Sequence, residues 1–227
     1  MKKTYLTLTS ACLIALYVAC GGGDTRKPDG KEHIESISKD NADAGKECSY
    51  SYDHKSTNIY WTAYKHTKKV EVQGQFDSIE VVGAQTSNNP VDVIRNIQFR
   101  IFTKSINSKD INRDKKIRDQ FFGTMSNTQE ITCMVKSLDE STGEVILALK
   151  MNDIEKELPA EYSVEGEVIK LRCVLDLNEY SGKAAIDALN KVCEEKHTVL
   201  DGGSIFWPYV KILVQSTLKK DCEEEIQ

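Results

Sequence analysis

Little in this chain points to chemistry. It has no C-x-x-C pair, no H-E-x-x-H, no G-x-S-x-G and no phosphate-cradling glycine loop. Its Asp and Glu residues are scattered, as on a solvated surface. An active site needs a nucleophile–base pair, a metal site or paired carboxylates. The residues therefore give no support for catalysis and call for no cofactor. A basic excess is also missing: 30 Lys and Arg stand against 35 Asp and Glu, for a formal charge of −5. Nucleic-acid binding calls for a clustered basic surface, so no nucleic-acid partner is expected. The same charge argues against docking on anionic lipid by electrostatics alone. No stretch reaches the roughly 20 apolar residues that a membrane-spanning helix requires, and no internal repeat is present. Aromatic residues are only 7% of the chain, but 40% of its 227 residues are hydrophobic and 29% charged. That is the make-up of a folded globular protein.

The first residues carry a clear signal. Lys2 and Lys3 precede a mainly apolar run over residues 6–19, the length of a signal-peptide core. Tyr17-Val18-Ala19-Cys20 is followed by Gly21-Gly22-Gly23-Asp24. Small residues before a cysteine, with a glycine tether after it, resemble the lipobox of bacterial lipoproteins. The position three before the cysteine is Tyr17 rather than the usual Leu, and Leu16 is one step earlier. The resemblance implies residues 1–19 as signal peptide and Cys20 as the lipidated N-terminus. Several acyl chains there would anchor the chain to a membrane. Gly21 is not an acidic retention residue, so the expected location is the outer membrane, facing periplasm or surface. Residues 20–46 are polar and cannot bury enough surface to offset their ordering entropy. They are expected to be a tether, with the folded domain over residues 47–227.

Within the domain the pattern is mostly period two, the signature of strands with one buried face. Ile59, Trp61 and Ala63 alternate with Tyr60, Thr62 and Tyr64. Val70, Val72, Gly74 and Phe76 form a second set, and Ile97, Phe99 and Ile101 a third. Further strands are expected around Ile131 to Val135, Val145 to Met151, Val168 to Leu175 and Trp207 to Leu218. Asn152-Asp153 is a turn signal. Two segments break the pattern. Ser108 or Asp110 can cap a helix that stops near Gly123, and residues 183–196 carry a helical apolar face of Ile186, Leu189, Val192 and Cys193. The fold class expected is all-β with two short helices, a closed antiparallel barrel or a sandwich.

Several stretches in order resemble the YceI-like family. Ser56 to Lys65, with Ile59 and Trp61, is similar to its opening strand, and Val72-Gln73-Gly74-Gln75-Phe76 to its G-x-F turn. The strand from Ile97 ends in Ser105-Ile106. Asn112-Arg113-Asp114 precedes Phe121-Phe122, and Leu147 to Asn152 and Leu175 to Tyr180 fit later strands. The resemblance implies a lipocalin-like barrel that binds polyisoprenoid or a similar lipid. The C-terminal part exceeds the shortest family members, as in a lipoprotein-type branch.

An eight-stranded barrel either fills its interior or encloses one small ligand, and inward positions are apolar in both cases. Trp61, Phe99, Ile101, Phe121, Phe122, Met134, Leu147 and Trp207 are candidates to line an apolar ligand, with core packing as the plainer alternative. Adjacent aromatics on a short helix do not share a face, so one of Phe121 and Phe122 is expected to cap the barrel mouth. Arg113 is a candidate head-group contact, against a plain surface pair with Asp114. Cys193 and His197 share a helix face but lack the third and fourth ligands of structural zinc, so no metal is expected. Export leaves Cys48, Cys133, Cys173, Cys193 and Cys222 in an oxidising compartment. Pairings such as Cys193 with Cys222 and Cys133 with Cys173 are open, because sequence does not give connectivity. The expected partners are a lipid or isoprenoid ligand and, through the acyl anchor, the membrane; a homodimer is left open. An interaction lipoprotein with a packed barrel and a protein partner is the alternative.

Overall fold

The structure, a computed structural model, describes residues 47–193 and 205–223. The expected signal peptide and tether, Cys20, His197 and the end of the expected second helix lie outside the described residues. Ten strands form one antiparallel sheet in the order β4 (Ile79–Val82), β5 (Gln98–Phe102), β7 (Glu130–Asp139), β8 (Glu144–Met151), β9 (Ile154–Glu165), β10 (Val168–Asp176), β11 (Tyr209–Thr217), β2 (Thr57–Lys65), β3 (Val70–Phe76) and β6 (Ile106–Asn107). β1 (Cys48–Ser51) and β12 (Lys219–Cys222) pair separately. Three helices complete the fold: α1 (Pro90–Val93), α2 (Ile111–Lys116) and α3 (Lys183–Cys193).

The period-two pattern decides which face turns inward. Trp61 lies opposite Ile212 on one side and Gly74 on the other, and Leu171 lies opposite both Tyr162 and Val214. Ile59, Val135, Val145, Leu147 and Met151 are buried on the inner face. The turn at Asn152-Asp153 has positive φ at both residues, 52° and 58°. Hairpins favour that pairing because its twist matches the strands.

The sheet curls into a half-barrel and does not close, contrary to the barrel expected from the pattern. The ladder breaks where two neighbouring strands bend together. Between β3 and β4 the chain turns at Asp77 and Ser78, and between β5 and β6 it turns through the 3-10 segment Thr103–Ser105. β4 pairs only with β5, and β6 pairs with β3 through two residues. Across the bend run single backbone bonds, Asp77 N to Ser105 O at 3.0 Å and Phe102 N to Ser78 O at 3.2 Å. Thr103, 3% exposed, holds the corner by donating from Oγ1 to the carbonyls of Thr128 and Gln129.

Four elements depart from the sequence pattern. β9, with twelve residues, was hidden by its charge and by Pro159. Proline cannot donate to a ladder, but the β9–β10 pairing ends at Ala160, so Pro159 has no β10 neighbour to satisfy. α1 begins at Pro90, where Asn89 Oδ1 accepts from Val91 N. β1 and β12 are short and polar, yet their register sets Cys48 opposite Cys222, and these two form the disulfide. That overturns the pairings of Cys193 with Cys222 and of Cys133 with Cys173: Cys133, Cys173 and Cys193 are free thiols.

The disulfide closes a loop with a sequence separation of 174, and long loops lose the most chain entropy on cross-linking. Replacing Cys48 with Ser is expected to lower unfolding stability by about 2–5 kcal/mol. Denaturant titration of the variant would read this as an earlier midpoint; an unmoved midpoint would show the cross-link to be idle.

Candidate apolar ligand cavity

The curl leaves a cavity of about 310 Å³ between the inner face of the sheet and a helical cap. Strand residues supply its wall: Ile59, Trp61 and Ala63 from β2, Val72 and Phe76 from β3, Leu149 and Met151 from β8, and Val210 and Ile212 from β11. The cap comes from the chain after β6 and from α3. Asp110 Oδ1 accepts from the amides of Asn112 and Arg113 and so starts α2. The helix then widens into a π turn over Ile117–Phe121 and tightens into a 3-10 turn over Phe122–Thr124. Ile117, Phe121 and Phe122 line the cavity from this segment, and Ile186, Leu189 and Cys193 from α3.

Both adjacent phenylalanines therefore face the cavity. A regular helix would have sent them apart, but the widened turn ends at Phe121 and the backbone changes course there. Their rings meet edge to face at 5.1 Å, and Phe122 also lies 6.4 Å from Phe76. π turns interrupt regular helices frequently at functional sites.

Two indoles frame the apolar interior. Trp61, 6% exposed, lies so close over Gly74 that an added Cβ there would sit 2.3 Å from its Cζ2. Its Nε1 is buried with no hydrogen-bond partner among the described residues. Trp207 instead donates from Nε1 to the His66 carbonyl at 2.9 Å, and Lys69 Nζ stands 4.4 Å from its ring centre.

Polar groups gather where β2 ends and α2 begins. Lys65, Asp110, Asn112, Arg113 and Lys116 all line the cavity. Arg113 donates from Nε to Ser108 Oγ and from Nη2 to the Ser108 carbonyl, each at 2.7 Å. Ser108 donates in turn from N and Oγ to the buried Asp114 carboxylate, at 2.8 and 2.5 Å. Arg113 and Asp114 are thus linked through Ser108 rather than forming a plain surface pair. Lys116 donates to the Val192 carbonyl at 2.7 Å and ties α2 to the end of α3.

A second, larger concavity of about 1170 Å³ lies over the outer sides of β2, β3 and β8–β11. Charged Glu144, Glu161, Arg172 and Lys211 line it beside Tyr60 and Leu213. Apolar Ile146, Pro159 and Val174 line it as well.

A model of the YceI-like domain matches residues 50–201. The chain belongs to the YceI-like family. Solved structures with the same fold include a polyisoprenoid binding domain from Saccharophagus degradans implicated in plant cell wall breakdown. It is 15% identical, with a TM-score of 0.54 over 78% of this chain and 99% of that one. Another is BcnA of Burkholderia cenocepacia, 11% identical, with a TM-score of 0.51 over 74% of this chain and 99% of that one. Comparison with curated proteins finds no match.

In this YceI-like domain Trp61, Ile101, Phe121, Phe122, Trp207 and Arg113 line the cavity. Phe99 and Leu147 are buried in the core and do not reach it. Met134 stands on the outer face, 41% exposed, because β7 turns its neighbours Cys133 and Val135 inward. The α3 contribution was readable as an apolar helix face, yet nothing in the pattern assigned it to the cavity. No group of three or more metal-binding side chains occurs among the described residues. Burial pushes the Cys133 and Cys173 thiols up to about 12.

Two expectations follow from this geometry. Gly74→Ala should destabilise the YceI-like domain by about 1–3 kcal/mol through overpacking against Trp61. A Trp61→Leu background should remove only part of that cost in a double-mutant cycle, because the added Cβ also meets the Asn107 carbonyl oxygen at 2.6 Å; strict additivity would deny the Trp61 contact. Iodoacetamide at about pH 8 should leave Cys133 and Cys173 unmodified in the native protein, since the thiolate is the nucleophile and is scarce four units below the pKa. Mass spectrometry should find both alkylated after denaturation, and native labelling would contradict their burial.

Proposed function

We propose that this YceI-like domain holds an apolar lipid chain in the interior cavity, as part of a lipoprotein anchored through Cys20 in the bacterial envelope. The observation that carries the reading is an apolar cavity under a helical cap, roofed by Phe121 and Phe122. The similar fold of a polyisoprenoid binding domain supports the ligand class. The ligand is a polyisoprenoid, an isoprenoid quinone or a fatty acyl lipid. The disulfide between Cys48 and Cys222 fits an oxidising compartment and so supports export. An outer-membrane location follows from Gly21 after the lipidated cysteine.

Size sets a limit. At roughly 30 Å³ for each water-sized group, the cavity takes a tail of about ten carbons. Burying ten methylenes at about 0.8 kcal/mol each gives a gross gain of about 8 kcal/mol. That corresponds to about micromolar affinity before the costs of ordering the chain. A long polyisoprenoid would extend beyond this volume.

A second reading, an interaction lipoprotein with a protein partner, draws on the outer concavity and the exposed Tyr60 and Val174 beside it. Native mass spectrometry of the chain lacking residues 1–20, followed by organic extraction, separates the two. A stoichiometric co-purifying lipid is expected. An empty protein that also refuses added polyprenol and fatty acid would sink the lipid reading in favour of the partner-binding one.

A further inference from the structure

The cavity is apolar over most of its lining and carries three cations, Lys65, Arg113 and Lys116, with one carboxylate, Asp110. Lys65 closes β2, and its backbone bridges to Phe206, whose amide donates to Asn190 Oδ1 on α3. Lys116 reaches the carbonyl of Val192, also at the end of α3. Arg113 stands one turn before Lys116 on the same helix. β2 and the cap helix therefore place Lys65, Arg113 and Lys116 in the lining of one cavity.

Their charge is not matched in the usual way. None of Lys65, Arg113 and Lys116 enters an ion pair among the described residues. Two carboxylates stand near them: Asp110, which lines the cavity and caps α2, and Asp114, which accepts from Ser108. Asp114 offsets part of the Arg113 charge through Ser108. Three cations against the two carboxylates leave one positive charge in surplus. Arg113 and Lys116 are already fixed by hydrogen bonds to Ser108 and Val192, so a ligand would pay little to order them.

We propose that the ligand is an acidic single-tailed amphiphile, whose anionic oxygen head, a carboxylate or a phosphate, sits among Lys65, Lys116 and Arg113. Its tail of about ten carbons runs along Trp61 toward Phe121 and Phe122. The inference rests on the cavity reading and narrows it: a neutral polyisoprenoid or quinone would leave the cations unused. Charge-assisted hydrogen bonds are about twice as strong as neutral ones, so the head should distinguish ligands that share a tail.

The test is calorimetric titration of the mature protein with decanoate, decyl phosphate and decanol. At least one anion is expected to bind about ten-fold more tightly than decanol, which corresponds to about 1.4 kcal/mol. Lys65→Met and Lys116→Met should bring that ratio toward one, and Lys65→Arg should restore it. Lys136→Met serves as control, because Lys136 pairs with Glu157 on the outer surface and its loss should leave the ratio alone. Denaturation midpoints would confirm that each variant is folded. Equal binding of all three probes would overturn the acidic head and leave the apolar cavity standing. Binding of none of them would overturn both.

Discussion

At Asp77 and Ser78 one strand bends, and at Thr103 to Ser105 its neighbour bends with it. A ladder running straight through this corner would carry the sheet on as an open twisted surface. Interrupting both strands at the same level lets β3 and β6 face β4 and β5 around a corner instead. Thr103 is the anchor, since its buried hydroxyl reaches two carbonyls just before β7. A buried donor left unpaired would cost about 1–3 kcal/mol, so these bonds hold the corner alongside the buried Ile79, Ile101 and Ile106. The curl, and with it the cavity, follows from that constraint.

What fills the space above the curl is a helix that fails to stay regular. α2 begins under the Asp110 cap, widens, and ends in a 3-10 turn within a few residues. Each change of pitch re-aims a side chain, and the result is two phenylalanines on one surface. The opposite wall depends on an equally local arrangement. Trp61 lies flat against β3 only because Gly74, across the ladder, has no side chain. Bulk at one site and its absence at the other therefore act together in shaping the interior.

Much of this was legible in the chain. The alternation at Ile59-Trp61, Leu147-Leu149 and Val210-Ile212 fixed which residues turn inward, because strand side chains repeat every two residues. By the same rule Met134, between Cys133 and Val135, had to point outward; naming it as a lining residue was a one-residue slip, which moves a side chain to the other face. Apolarity could not separate Phe99 and Leu147, packed in the core, from Trp61 and Ile101, which line the space. That distinction depends on where the cap sits. β9 was masked by Pro159 and its charges, and β1 and β12 are too short and polar to show a period. The open seam was invisible for a related reason: a bend in two strands leaves their alternation intact. Lys65 and Lys116 carried no pattern at all, since three distant segments bring them together with Arg113.

The link between Cys48 and Cys222 has a topological consequence. The chain enters and leaves the domain at the same rung of a ladder, and a covalent bond locks that rung. Even when unfolded, the span between the two cysteines is a ring, not a line. Neither end can be peeled away alone, so tension on the segment before Cys48 passes directly into Cys222. The curled sheet and its cavity hang from that point as a closed loop hangs from its clasp.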